Sequence, residues 1–394
     1  MLTDSRSHTA LKSRLLAVAL IGAALPGCAL GYLTQAAQGQ WRLMRARRPI
    51  EQVIADPTAS PDLKAQLRVV QDARDFAVSD LGLPDNRSYR SYSDLKRPYV
   101  VWNVVAAPEF SVEPQRWCFP FTGCLSYRGY FRENDARKMA AALAARGNDV
   151  MVGGVSAYST LGHFADPVLN TMLRYGDLGL ASTIFHELAH QLIYVRGDSE
   201  FNESFAVSVE QEGLRRWLAA RGRSLELQDY LARHQSEQLI VGVFADGRRR
   251  LATLYASSPA LPIDQQRARK HEILSATGEQ VLAVERQFKV RSGYDQWISD
   301  GLNNAHLASV GTYFDCVPGF QRLLAANGGS LPAFYAAVRK MKRDAAARRA
   351  LCADAGNDAG NDAGSDAAIT APGAAPSATS ASVTSAPATA VPVP

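Results

Sequence analysis

No CxxC pair occurs anywhere in the 394 residues, which argues against a metal site built from cysteines. A long basic stripe with interleaved aromatics is also absent. Formal net charge is +5 with acidic and basic residues mixed. The short run Arg248-Arg249-Arg250 reads as a solvated helix face, so nucleic acid is not expected as a partner. After the opening apolar run no second hydrophobic span follows, so any membrane attachment is expected through lipid. From Ala353 to Pro394 large aliphatic and aromatic residues almost vanish. Such a segment cannot bury enough apolar surface to offset its ordering entropy, and 353–394 is expected to be a disordered, low-complexity tail.

The N-terminus does carry a pattern. Arg6, Lys12 and Arg14 precede an uncharged apolar run, Leu15 to Leu25, whose eleven residues suit an export signal and are too few to span a bilayer. It ends at Leu25-Pro26-Gly27-Cys28, which resembles a bacterial lipobox. Residues 1–27 are therefore expected to be a leader, with lipid on Cys28 as the membrane anchor; a plain secretory signal is the alternative. Ala29 after the cysteine suggests, by analogy with lipoprotein sorting, the outer membrane of the cell envelope, facing the periplasm. Four further cysteines, Cys118, Cys124, Cys316 and Cys352, make an even number in an exported chain and suggest disulfides. Cys118 and Cys124 would close a tight loop, and Cys316 with Cys352 would pin the last helix.

The most informative segment is His186-Glu187-Leu188-Ala189-His190. On a helix, residues i and i+4 share a face, so the two imidazoles can meet one metal ion. A catalytic zinc site needs three protein ligands and an open position for water. Beyond a turn at Arg196–Ser199, a second helix is expected from near Asn202, and Glu203 in its first turn can complete a His, His, Glu set for Zn2+. Leu180, Ile184, Leu188 and Leu192 recur every four residues and should pack the other face into a core. Glu203, Ala206, Glu210, Gly213 and Trp217 form a stripe whose small members allow close helix approach. Glu187 is expected to be the general base, taking a proton from water and passing it to the leaving amine. The imidazoles need partners for their other nitrogens, and Glu210 and Asp198 are the candidates. The alternative is a pair of ordinary core histidines.

HELAHQ followed by NESFA resembles the gluzincin metallopeptidases, and NESFA resembles the NExxA element of zinc aminopeptidases. Twelve residues separate His190 from Glu203, fewer than in the commonest members of that group. More closely, the chain resembles the predicted aminopeptidase family of Gram-negative bacteria. Trp117-Cys118-Phe119-Pro120, Cys124 to Phe131, Gly153-Gly154, Ala157 to Gly162, Phe201 to Ala206 and Asn303-Asn304-Ala305 carry that likeness, which runs from about Cys28 to Met341. It implies zinc-dependent hydrolysis of a peptide substrate, with aminopeptidase activity; a zinc endopeptidase is the alternative, as is a non-catalytic envelope lipoprotein that keeps the fold. In related enzymes a Tyr, His or Arg stabilises the oxyanion, which makes Tyr127, Tyr130, Tyr158, Tyr313 and His306 candidates. An aminopeptidase also needs a carboxylate for the substrate's free amine, and no residue is singled out for it. The stretch Gly153 to Leu161 fits a sheet edge that an extended peptide can pair with.

The remaining pattern predicts an α+β, mostly helical zincin-like domain over 28–352, with a small sheet over the HExxH helix. A sheet-containing lobe is expected to about 195 and a helical lobe after it. Helices are expected at 35–47, 61–81, from a cap at Asp135 to 146, 166–173, 202–221, 225–245, 262–289, 294–312 and 331–348. Strand character is expected within 97–110, 125–131 and 150–158.

Overall fold

A computed structural model describes residues 27–119, 123–257 and 261–353. The expected leader and tail therefore lie outside the described residues, apart from Gly27 and Ala353. Helix α1 (Gly27–Arg45) leads into β1 (Arg48–Pro49), α2 (Ile50–Ala55) and α3 (Pro61–Ser79). The Ser60 hydroxyl accepts from the Leu63 N–H at 3.2 Å, and Pro61 fills a first position where no donor is needed. Strands β2 (Ser91–Ser93), β3 (Val101–Pro108), β4 (Trp117–Phe119), β5 (Gly123–Leu125) and β6 (Arg128–Tyr130) follow. Helix α4 (Glu133–Ala144), β7 (Asn148–Val155) and β8 (Val168–Leu169) precede the long helices. These are α5 (Gly176–Leu192), α6 (Ser199–Ala220), α7 (Ser224–Ser257), α8 (Ile263–Phe288), α9 (Asp295–Asp300), α10 (Asn304–Phe314), α11 (Val317–Ala326), α12 (Leu331–Met341) and α13 (Ala345–Ala353).

The fold is α+β and mostly helical. Its largest sheet is antiparallel in the order β6-β3-β7, with Asn103 opposite both Gly129 and Gly153. Strand alternation sorts its side chains. Trp102, Val104 and Ala106 join Tyr32, Tyr130 and Leu143 in a satellite cluster, while Val101, Val105, Met151 and Val155 join the main core. Helix α4 packs on this sheet, as does α10, whereas α5 packs chiefly on α6 and α3. The sheet thus sits beside the HExxH helix and not squarely over it. The main core runs from Leu43 to Val338, through both expected lobes. None of the described helices is long and apolar enough to cross a membrane.

Several elements differ from expectation. Residues 166–173 are not a helix, because β8 pairs in parallel with β2 (Tyr92 with Val168, Ser93 with Leu169) and a 3-10 turn follows at Leu173–Tyr175. The helix expected over 294–312 is interrupted: Gly301 adopts φ +95°, and Asn303 caps a new helix by accepting from Ala305 and His306 N–H groups. That over 331–348 breaks before Asp344, whose carboxylate accepts from Ala346 and Ala347 N–H groups at 3.0 and 2.9 Å. Asp135 is not a cap; it lies inside the first turn of α4 and pairs with Arg132 at 2.7 Å. Helix α11 was not expected. Both disulfides are present: Cys118–Cys124 joins directly opposed residues of the β4–β5 hairpin, and Cys316–Cys352 ties the head of α11 to α13.

Candidate active site

Helix α5 is buried on every side from Leu180 to His190. No charged residue other than those of the motif lies in that stretch, so the helix can sit in the core. Gly213 of α6 lets the two helices meet. A Cβ there would come within 2.9 Å of the Phe185 ring and 2.8 Å of Leu81. Asn202 fixes the turn between them: its amide accepts from Val195 N–H at 2.7 Å and donates to Val195 C=O at 2.8 Å. The next residue, Glu203, is thereby aimed at α5.

His186, His190 and Glu203 converge. The two Nε2 atoms are 3.1 Å apart, and Glu203 Oε2 lies 3.4 Å from His186 Nε2 and 3.3 Å from His190 Nε2. All three residues are at most 1% exposed. Zinc bonds of about 2.0–2.2 Å in a tetrahedron place donor atoms about 3.3–3.5 Å apart, so this triangle has the dimensions of a zinc face. Orphaned polar atoms support the same reading. Glu203 Oε2, His190 Nδ1 and both oxygens of Glu187 are buried without a hydrogen-bond partner. Leaving each so costs about 1–3 kcal/mol, and a cation in the triangle would satisfy Glu203 Oε2, while His190 Nδ1 lies on the other side of its ring.

The electrostatics also call for positive charge. Burial pushes His186 down, but Glu203 and Glu210 outweigh it and hold the imidazole up at about 10. Burial keeps His190 below its ordinary value despite Glu203. Burial would raise Glu203, yet the two imidazoles override it and hold the carboxyl low. The two carboxylates therefore favour positive charge at His186.

Glu187 is 0% exposed, and burial pushes it up to about 8. Ser159 approaches it without completing a hydrogen bond to either oxygen. Glu210 Oε2 lies 2.9 Å from His186 Nδ1, and its other oxygen accepts from Ser182. Asp198, the other residue expected to hold an imidazole, is engaged elsewhere. It caps α6 by accepting from Phe201 N–H at 3.3 Å and pairs with Arg348 at 2.7 Å.

The five candidates for oxyanion stabilisation separate. Tyr127 and Tyr313 both feel the charge of Glu203, and burial holds both phenols well above their usual range, so each is a neutral donor. Tyr313 is carried there by Ser204, whose hydroxyl donates to Tyr313 C=O at 3.1 Å and accepts from Cys316 N–H at 3.2 Å. Tyr130 belongs to the satellite cluster, packed edge-on against Tyr32. Tyr158 packs on Phe131. His306 is the third residue of α10, where its Nδ1 accepts from Asn303 N–H at 3.2 Å and its ring meets Trp297. Burial lowers it to about 4, so it is neutral and serves as a cap. Sequence reasoning missed Tyr89 and Tyr194, which sense Glu187 and Glu203 respectively, and Ser159.

A family model described as "Putative aminopeptidase" matches residues 31–352. No curated protein and no solved structure matches the chain.

Proposed function

Because the chain belongs to this aminopeptidase-like family, we propose that it is a zinc-dependent peptidase that uses His186, His190 and Glu203 to hold the metal and Glu187 to move protons. The observation that carries the reading is the triangle of donor atoms at 3.1, 3.3 and 3.4 Å, beside a buried carboxyl with no partner. Zinc, when bound there, supplies Lewis-acid polarisation of a scissile carbonyl and lowers the pKa of water. Glu210 holds His186 in the tautomer that leaves Nε2 free for the metal. Glu187, adjoining His186 on the helix, takes the proton of the attacking water and returns it to the leaving amine nitrogen. Tyr127 and Tyr313 offer O–H donors to the carbonyl oxygen as it gains charge. A purely structural metal site would have no use for Glu187 in this position.

Aminopeptidase action follows the family description and is part of the proposal. So are attachment by lipid at Cys28 and residence in the bacterial envelope at the outer membrane. The two disulfides support an oxidising compartment. The test is Glu187→Gln, which keeps the shape and removes the base. The variant should stay folded, retain metal, and lose about 10²–10⁴-fold in kcat on peptides. Cleavage at the wild-type rate would sink the mechanism.

A further inference from the structure

A cavity of about 300 Å³ lies between the β6-β3-β7 sheet and helices α9 and α10. Tyr127 and Tyr313 form part of its wall, and the Tyr313 carbonyl accepts from the hydroxyl of Ser204, the neighbour of Glu203, at 3.1 Å, so the cavity borders the segment that bears the triad's carboxylate. None of its lining residues carries a charge. Tyr99, Tyr294 and Trp297 supply aromatic surface, and Met151 an adaptable apolar one. One lining residue does not fit an apolar pocket. Asn103 is 5% exposed, and its amide oxygen is buried without a hydrogen-bond partner. By strand alternation it shares the sheet face of Val101 and Val105.

Gly153 keeps the sheet face thin beside that amide. It sits directly opposite Asn103 in the β3–β7 register. A Cβ at Gly153 would meet only the terminal methyl of Met151, at 3.4 Å. The missing side chain therefore leaves room beside Asn103, and nothing in the backbone conformation demands glycine there. The neighbouring Gly154 differs, because the Tyr99 ring covers it and a Cβ would come within 2.5 Å.

We propose that this cavity is the specificity site for the residue beside the scissile bond. It takes a large, uncharged, preferably aromatic side chain, and Asn103 accepts a hydrogen bond from that residue. Charged side chains are excluded because no counter-ion lines the cavity and the desolvation cost would be unmet. The donor to Asn103 is either the residue's main-chain nitrogen (an amide N–H, or the free amine where the peptide begins at that residue) or a phenol O–H. A site that leaves a buried acceptor unpaired discriminates strongly in favour of ligands that supply the missing donor. The inference rests on the peptidase reading for what the ligand is, but not for whether the cavity binds it.

The experiment uses the full chain loaded with zinc and a peptide series that differs at one residue beside the cleaved bond. Wild type should prefer Phe, Tyr and Leu over Ala, Asp and Lys by at least tenfold in kcat/KM. Gly153→Val narrows the cavity beside Asn103 and should shift the Phe-to-Ala ratio at least tenfold toward Ala. Gly153→Ala, with room for its Cβ, should shift it less and guards against a folding artefact. Asn103→Leu should raise KM more than it lowers kcat. An equal loss for Phe and Tyr peptides assigns the donor to the backbone; a larger loss for Tyr assigns it to the phenol. A second readout needs no turnover: equilibrium dialysis of N-acetyltyrosinamide against the Glu187→Gln protein, with and without Gly153→Val. Binding should weaken at least tenfold in the doubly substituted chain. If wild type cleaves no peptide, the peptidase reading fails while the dialysis still decides the cavity. An unchanged ratio and unchanged dialysis in Gly153→Val, or a preference for charged residues, would overturn the proposal.

Discussion

Glu210 shows how much a single carboxylate outside the triad can control. Its 2.9 Å contact with His186 Nδ1 fixes which imidazole nitrogen faces the centre. Glu210→Ala should therefore weaken metal affinity about 10–100-fold, read by competition with a coloured chelator, while the fold survives. Unchanged affinity would show that His186 needs no outer support. Glu210 was legible in the sequence because it lies on the same helical face as Glu203, and a helix repeats its neighbours locally. Asp198 was just as near along the chain, but it falls at the head of α6, where the free N–H of Phe201 claims it. Tyr89 and Ser159 were illegible for a different reason. Each approaches Glu187 from a segment remote in sequence, and no periodicity marks a long-range approach.

At the scale of elements, the decisive fact is the close crossing of α5 and α6. Gly213→Val should push its side chain into Phe185 and Leu81 and cost about 1–3 kcal/mol of stability. A chemical-denaturation midpoint measures this, and no shift would mean that the helices part freely. The small residue was visible in the stripe Glu203, Ala206, Glu210, Gly213, Trp217, although its target was not. The four-residue repeat of Leu180, Ile184, Leu188 and Leu192 pointed to one buried face, whereas Leu180 to His190 is buried all round. The clue was the lack of surface-type residues on the opposite side. Gly301 and Asn303 likewise announced the break between α9 and α10, since glycine ends helices and asparagine starts them. The strand at Val168–Leu169 could not be read locally at all, because its partner, β2, lies more than seventy residues earlier.

On the scale of the whole molecule, one core joins the early strands to the last helices, from Leu43 to Val338. The Cys316–Cys352 bridge, closing a separation of 36 residues, fastens the C-terminal end of that assembly. The triad lies so deep in this body that each of its members is at most 1% exposed. Bond chemistry and diffusion are thereby set in series. On the peptidase reading, a substrate can meet Glu187 only during an excursion in which part of the surrounding body moves aside, so the turnover frequency cannot exceed the frequency of that excursion. Large-amplitude motion is damped by solvent friction, whereas proton transfer is not. Added sucrose or glycerol should therefore slow kcat in proportion to relative viscosity, and a kcat indifferent to viscosity would mean that the body opens faster than the bond breaks. On this account the protein keeps its reactive centre dry by default and admits reactants at intervals, like an airlock whose cycle time sets the throughput.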